Sequence, residues 1–169
     1  MKPIRLIAIL LSLAPLLSAC SFPGSQETVT FYYPRDPQQK SNTPSDTFYT
    51  AERREITGQT TNVRYLLSLY LQGPLDDQSF SPFPEGTRLV MLDIHNGQYF
   101  VQLSQEFSQL SGIDLTVACA CIRLTCFNMA EVDRVTVITP ASGDQPAVEM
   151  TLTREDLTLM DTVAETPTP

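Results

Sequence analysis

Hydrophobic positions change their period several times along the chain, and each change marks an element. Val29, Phe31 and Tyr33 alternate with Thr30 and Tyr32, which predicts a β-strand ending at Pro34. Residues 34–46, PRDPQQKSNTPSD, read as a loop by composition. Thr47 to Ile56 predicts a second, weaker strand through Phe48, Tyr49 and Ile56. Its charges, Glu52, Arg53, Arg54 and Glu55, predict an exposed or edge position. From Asn62 to Gln72 the spacing turns helical, with Val63, Leu66, Leu67 and Tyr70 on one face. Thr60, Thr61 or Asn62 can cap that helix, and Gly73-Pro74 stops it.

After a loop through Asp76 to Pro84, Thr87 to Asn96 carries Val90, Leu92 and Ile94 on one face and Leu89 and Met91 on the other. That pattern predicts a strand largely covered on both sides. Asn96-Gly97 supplies the two positive-φ positions of a type I′ hairpin turn, and Tyr99, Val101 and Leu103 form the returning strand. Leu115 to Met129 reads as a second helix. Arg134 to Thr139 reads as a strand, with Ala147 to Leu152 as its hairpin partner across PASGDQP. No internal repeat is visible. This order predicts an α+β fold: a single compact domain in which a mixed β-sheet is packed by two α-helices.

The first residues have another purpose. Lys2 and Arg5 precede an apolar run from Leu6 to Leu17, followed by Ser18, Ala19 and Cys20. The run is shorter than the roughly 20 residues a membrane span needs, and small residues precede the cut, so this is a secretion signal. Leu17-Ser18-Ala19-Cys20 resembles the lipobox of bacterial lipoproteins, in which the cysteine thiol takes a diacylglyceryl group and the peptide is cut between Ala19 and Cys20. Two acyl chains, at about 0.8 kcal/mol per buried CH2, meet the requirement for stable anchoring. The expected organisation is a signal peptide over residues 1–19, a lipidated N-terminus and spacer over 20–27, a folded domain over 28–153 and a tail over 154–169. The expected location is the outer face of the bacterial cytoplasmic membrane.

Loss of the signal removes Lys2 and Arg5, leaving 9 basic residues against 19 acidic ones, a balance of −10. Such a chain is repelled by phosphate backbones and anionic headgroups, so neither nucleic acid nor electrostatic membrane docking is expected. The anchor alone must hold it.

VACACIRLTC concentrates Cys119, Cys121 and Cys126 in one short stretch. On a helix, Leu115, Ala118, Cys119, Ile122, Cys126 and Met129 fall within an arc of about 100°. Cys121 points elsewhere. At 1.5 Å per residue, Cys119 and Cys126 lie about 10.5 Å apart along the axis, too far for a disulfide. Positions i, i+2 and i+7 cannot converge on a metal ion, and no histidine is near. The thiols read as core filling, with a bridge in trans through Cys121 as the alternative.

Reactive constellations are missing. His95, the only histidine, stands beside the hairpin turn with Asp93 on its face. No Gly-x-Ser-x-Gly elbow, His-Glu-x-x-His, Walker loop or dinucleotide fingerprint occurs. The acids Asp76-Asp77 and Glu155-Asp156 lie in polar settings and read as solvated. No catalytic residue, cofactor or metal is expected.

Several segments carry a family resemblance. These are Leu71-Gln72-Gly73-Pro74, Phe83-Pro84-Glu85-Gly86-Thr87, the run Gly97 to Phe107 (GQYFVQLSQEF), and Leu124-Thr125-Cys126-Phe127 ahead of Val132 to Val137. In order and spacing, from about Thr28 to Leu152, they resemble GerMN-domain lipoproteins, a family tied to sporulation and germination envelopes of spore-forming bacteria. Gln102 stands where an acidic residue is common in that family, and only one copy of the domain is visible where some members carry two. The resemblance implies a fold like the ring-building α/β modules of secretion assemblies, and a non-catalytic role in an envelope complex. The expected function is a membrane-anchored module that binds another envelope protein through a sheet edge or helix face. The alternative is a receptor for a small ligand or wall glycan that uses Tyr32, Tyr33, Phe48, Tyr49 and Tyr99 as a stacking surface.

Overall fold

The computed structural model describes residues 26–35, 47–58, 61–77, 79–141, 143 and 147–156. The expected signal peptide over residues 1–19, with Ala19 and Cys20 at its expected cut, lies outside these residues, as do most of the expected 34–46 loop and the end of the expected tail.

β1 (Gln26–Pro34) and β2 (Tyr49–Thr57) pair antiparallel from Gln26 opposite Thr57 to Pro34 opposite Tyr49, and form a sheet of their own. Alternation in β1 works as its sequence predicts, burying Val29, Phe31 and Tyr33. β1 begins at Gln26, so its first residues fall in the stretch assigned to the spacer. α1 (Val63–Tyr70) follows, with the Asn62 side chain accepting the Tyr65 N–H at 3.1 Å. The chain leaves α1 through Gly73, whose φ of +92° is a conformation glycine adopts without penalty.

The mixed sheet is the second one. β3 (Leu89–His95), β4 (Gln98–Leu103), β5 (Arg134–Thr139) and β6 (Val148–Thr153) lie in the order β3-β4-β5-β6. Only the β4–β5 pair is parallel, and a parallel pair needs a crossover. That crossover is a 3₁₀ turn, Gln105–Gln109, followed by α2 (Gly112–Met129). The β3–β4 turn has φ of 47° at Asn96 and 72° at Gly97, the geometry the pair of residues predicts.

Core residues come from every layer. Leu66, Leu67 and Tyr70 of α1 join Tyr99, Val101, Leu103, Val135 and Val137 of the mixed sheet, with Phe83 and Phe107 between. By length and composition α2 could cross a membrane, yet it packs against β1 and also reaches β5 and β6. From Ala118 to Arg123 every residue is buried.

Four expectations change. Cys121 does not point away from the core; it is as buried as Cys119 and Cys126, because elements surround this part of α2 on more than one side. β2 is an edge, but of its four charges only Arg53 and Glu55 face out, while Glu52 is buried and Arg54 is turned inward. β3 is not covered on both sides: Val90, Met91 and Ile94 are 53%, 40% and 54% exposed. It pairs only with β4, and its register shifts between Leu89 and Met91, so the core layer ends before reaching it. The stretch assigned to the tail starts as part of the fold. Asp156 accepts hydrogen bonds from the Thr153 N–H and hydroxyl, and Arg154 Nε donates to the Val132 carbonyl at 3.1 Å.

Candidate functional site

A polar network ties the two-stranded sheet to α1 and its exit. Arg54 Nε donates to the Glu52 carboxylate two residues away on the same strand face. Its Nη2 donates to the Gly73 carbonyl at 2.6 Å and to the Tyr33 hydroxyl at 3.1 Å, while the guanidinium lies 4.8 Å from the Phe31 ring centre. Glu52 accepts the Leu75 N–H at 2.8 Å. The pair therefore fixes the Gly73-Pro74 exit of α1 onto β2, closing two inward charges upon each other. Tyr33 donates to the Tyr70 carbonyl and Tyr70 donates to the Tyr32 carbonyl, both at 2.8 Å. Burial pushes both phenols well up from their usual range, so both remain hydroxyl donors.

Nothing in the alternation of β2 announces this network. The signal available in the sequence was Glu-x-Arg on one strand face opposite an aromatic strand, which is the pattern of an internally paired charge.

Two shallow grooves flank the α1 exit. One, of about 800 Å3, runs beside β2 from Glu52 to Thr57, with Tyr65, Leu69 and Leu75 along its other wall. The other, of about 770 Å3, is formed by Leu71-Gln72, the Phe83 to Arg88 turn and Glu106, so three of the segments that carry the family resemblance meet around it. Glu106 is held below the usual carboxylate range by hydrogen bonds from Ser104 and its own backbone N–H.

The mixed sheet supplies a third surface. Val90, Met91 and Ile94 stand open on β3. Met91, opposite Gln102, and Ile94, opposite Tyr99, lie on opposite faces of β3, so exposed apolar side chains flank this edge on both sides and mark it as a contact site. At the edge itself the Asp93 carboxylate accepts the Ile94 N–H at 2.9 Å.

The residues expected to be chemically quiet lie apart. His95 and Asp93 are exposed on β3 with no nucleophile beside them among the described contacts. Asp77 is exposed, but Asp156 is bonded to Thr153 and lies 4.0 Å from the buried Arg123. Of the five rings considered as a stacking surface, Tyr33 and Tyr99 are buried in the core, while Tyr32, Phe48 and Tyr49 pack edge to face on one another. Among the described residues, no group of His, Cys, Asp or Glu is arranged to hold a metal ion.

Comparison with known proteins places the fold. The chain matches the tandem GerMN domains of the sporulation protein GerM from Bacillus subtilis with a TM-score of 0.51 and 17% identity, over 70% of this chain and 40% of that one. It therefore spans less than half of that two-domain structure. A crystallised protein of Clostridium perfringens, described as a candidate lipoprotein, aligns over 78% of this chain and 89% of its own, with 17% identity and a TM-score of 0.46. No curated protein matches. The family model named Germane, described as sporulation and spore germination, matches residues 30–138, well over half the sequence, and the chain belongs to that family.

Proposed function

We propose that this chain is a lipid-anchored, non-catalytic interaction module at the outer face of the cytoplasmic membrane, serving a sporulation or germination assembly of the cell envelope. Membership of the Germane family supports the setting. The lipobox ending in Cys20 supports the anchor. The observation that carries the binding role is the β3 surface, where Val90, Met91 and Ile94 remain open although the chain has a full core elsewhere. An acidic protein favours a partner with an apolar ridge flanked by basic groups.

The test is crosslinking in membranes followed by affinity capture of the anchored chain. A membrane or wall-associated protein is expected to co-purify, and Ile94→Asp should abolish its capture without altering the far-ultraviolet circular dichroism. Unchanged capture by that variant would assign the contact elsewhere. A Cys20→Ala variant is expected to leave the membrane fraction, and stable retention would remove the anchor from the reading.

A further inference from the structure

The two edges of the two-stranded sheet are treated differently. On β1, the Tyr32 N–H donates to the Thr125 hydroxyl at 3.0 Å and the Tyr32 carbonyl accepts from Tyr70, so both backbone groups point away from β2 and both are taken. Further along the same edge, the Pro34 carbonyl accepts the Phe80 N–H at 3.3 Å. From Tyr32 to Pro34 the β1 edge is therefore occupied.

The same geometry fixes the direction of the groups on β2. Ala51 lies opposite Tyr32, so its N–H and carbonyl also point outward, and the two-residue period extends this to Arg53, Glu55 and Thr57. Among the described residues no strand pairs with β2 on that side. The outward side chains Arg53 and Glu55 are exposed and opposite in charge.

We propose that the β2 edge binds a second copy of this chain, antiparallel, about a two-fold axis at Arg54. In that register Arg53 stands opposite Glu55 of the second copy, and Glu55 opposite its Arg53. The same operation sets Ala51 against Thr57. Both are pairs of outward-pointing residues, so they exchange backbone hydrogen bonds, while Arg54 meets Arg54 at a pair that does not. Arg54 is already neutralised by Glu52 within its own protomer. Each cross-strand charge pair is therefore satisfied twice by symmetry, as an isologous interface requires. Tyr65, Leu69 and Leu75, along the groove beside β2, provide apolar surface next to the added strand. In the joined four-stranded sheet β1 lies outermost on both sides, with its Tyr32 and Pro34 edge groups already taken. This contact is separate from the β3 surface and stands whether or not that surface binds an envelope protein.

The experiment uses the full chain, co-expressed with two different tags, extracted in mild detergent and captured through one tag. Wild type is expected to bring down its differently tagged copy. Arg53→Glu alone, or Glu55→Arg alone, places like charges opposite each other and should reduce co-capture about tenfold. Arg53→Glu co-expressed with Glu55→Arg restores both opposite-charge pairs and should recover the wild-type yield. Both positions are exposed, so the denaturation midpoints should not move. Absence of co-capture in wild type, indifference to the single changes, or failure of the mixed pair to recover would each overturn the proposal.

Discussion

The Thr125 hydroxyl of α2 accepts the Tyr32 N–H of β1 at 3.0 Å, joining a helix to the edge of a strand it could not otherwise pair with. Thr125 is fully buried, and its side chain replaces a missing neighbouring strand. Thr125→Val keeps the shape but leaves that N–H without an acceptor, which should cost about 1–3 kcal/mol in urea unfolding. Thr125→Ser should recover most of that stability. Equal losses in both variants would show that packing of the methyl group, and not the hydrogen bond, secures the edge.

Arg54 and Glu52 should behave as a unit. Both side chains are mostly withdrawn from water, at 10% and 8% exposure, so removing one partner leaves an uncompensated inward charge. Arg54→Met is expected to cost about 3–5 kcal/mol. The double variant Glu52→Gln with Arg54→Met should lose less than Arg54→Met alone, since it relieves the stranded carboxylate. Additive losses in a double-mutant cycle would count against the coupling.

What was legible in the sequence, and what was not, divides along physical lines. Local geometry was legible: Asn96-Gly97 fixes its turn, the Leu66, Leu67 and Tyr70 stripe fixes the buried face of α1, and Val135 and Val137 fix that of β5. Position within a layer was not. Alternation on β3 shows neither the bulge between Leu89 and Met91, which turns Leu89 to the same face as Leu92, nor that the core stops short of the strand, so Val90 and Ile94 read as covered. The apolar arc of α2 was correct for Cys119 and Cys126. Cys121 was misplaced because a helix contacted from more than one side has no outward face there. The edge position of β2 was anticipated from its charges, whereas the inward turn of Glu52 and Arg54 was not, although their Glu-x-Arg spacing on one strand face carried a signal for it.

Gly97 is held by two constraints together. Its φ is +72°, and a Cβ at this position would come 3.2 Å from an Asp133 carboxylate oxygen. Gly97→Ala should therefore destabilise the domain by more than the roughly 1 kcal/mol that the left-handed conformation alone costs. Asn96→Gly, next to it, should be nearly neutral. A Gly97→Ala variant as stable as wild type in thermal unfolding would mean that the hairpin can change its turn type.

The buried thiols make stability depend on alkaline pH. Burial pushes Cys119, Cys121 and Cys126 up from 9.0 to about 12. Below pH 9 the thiols carry their protons in both the folded and unfolded chain, so their contribution is fully present. Between pH 9 and 12 the unfolded chain ionises while the folded one does not, and stability falls as pH rises. Each thiol contributes a slope of up to about 1.4 kcal/mol per pH unit. Cys121→Ala should flatten the decline between pH 9 and 11 by one thiol's share. In native protein at pH 8, iodoacetamide should label none of the three until denaturant is added. Rapid labelling of Cys121 alone would mean that α2 keeps an outward face there, and it would return that thiol to the list of candidates for a bridge between chains.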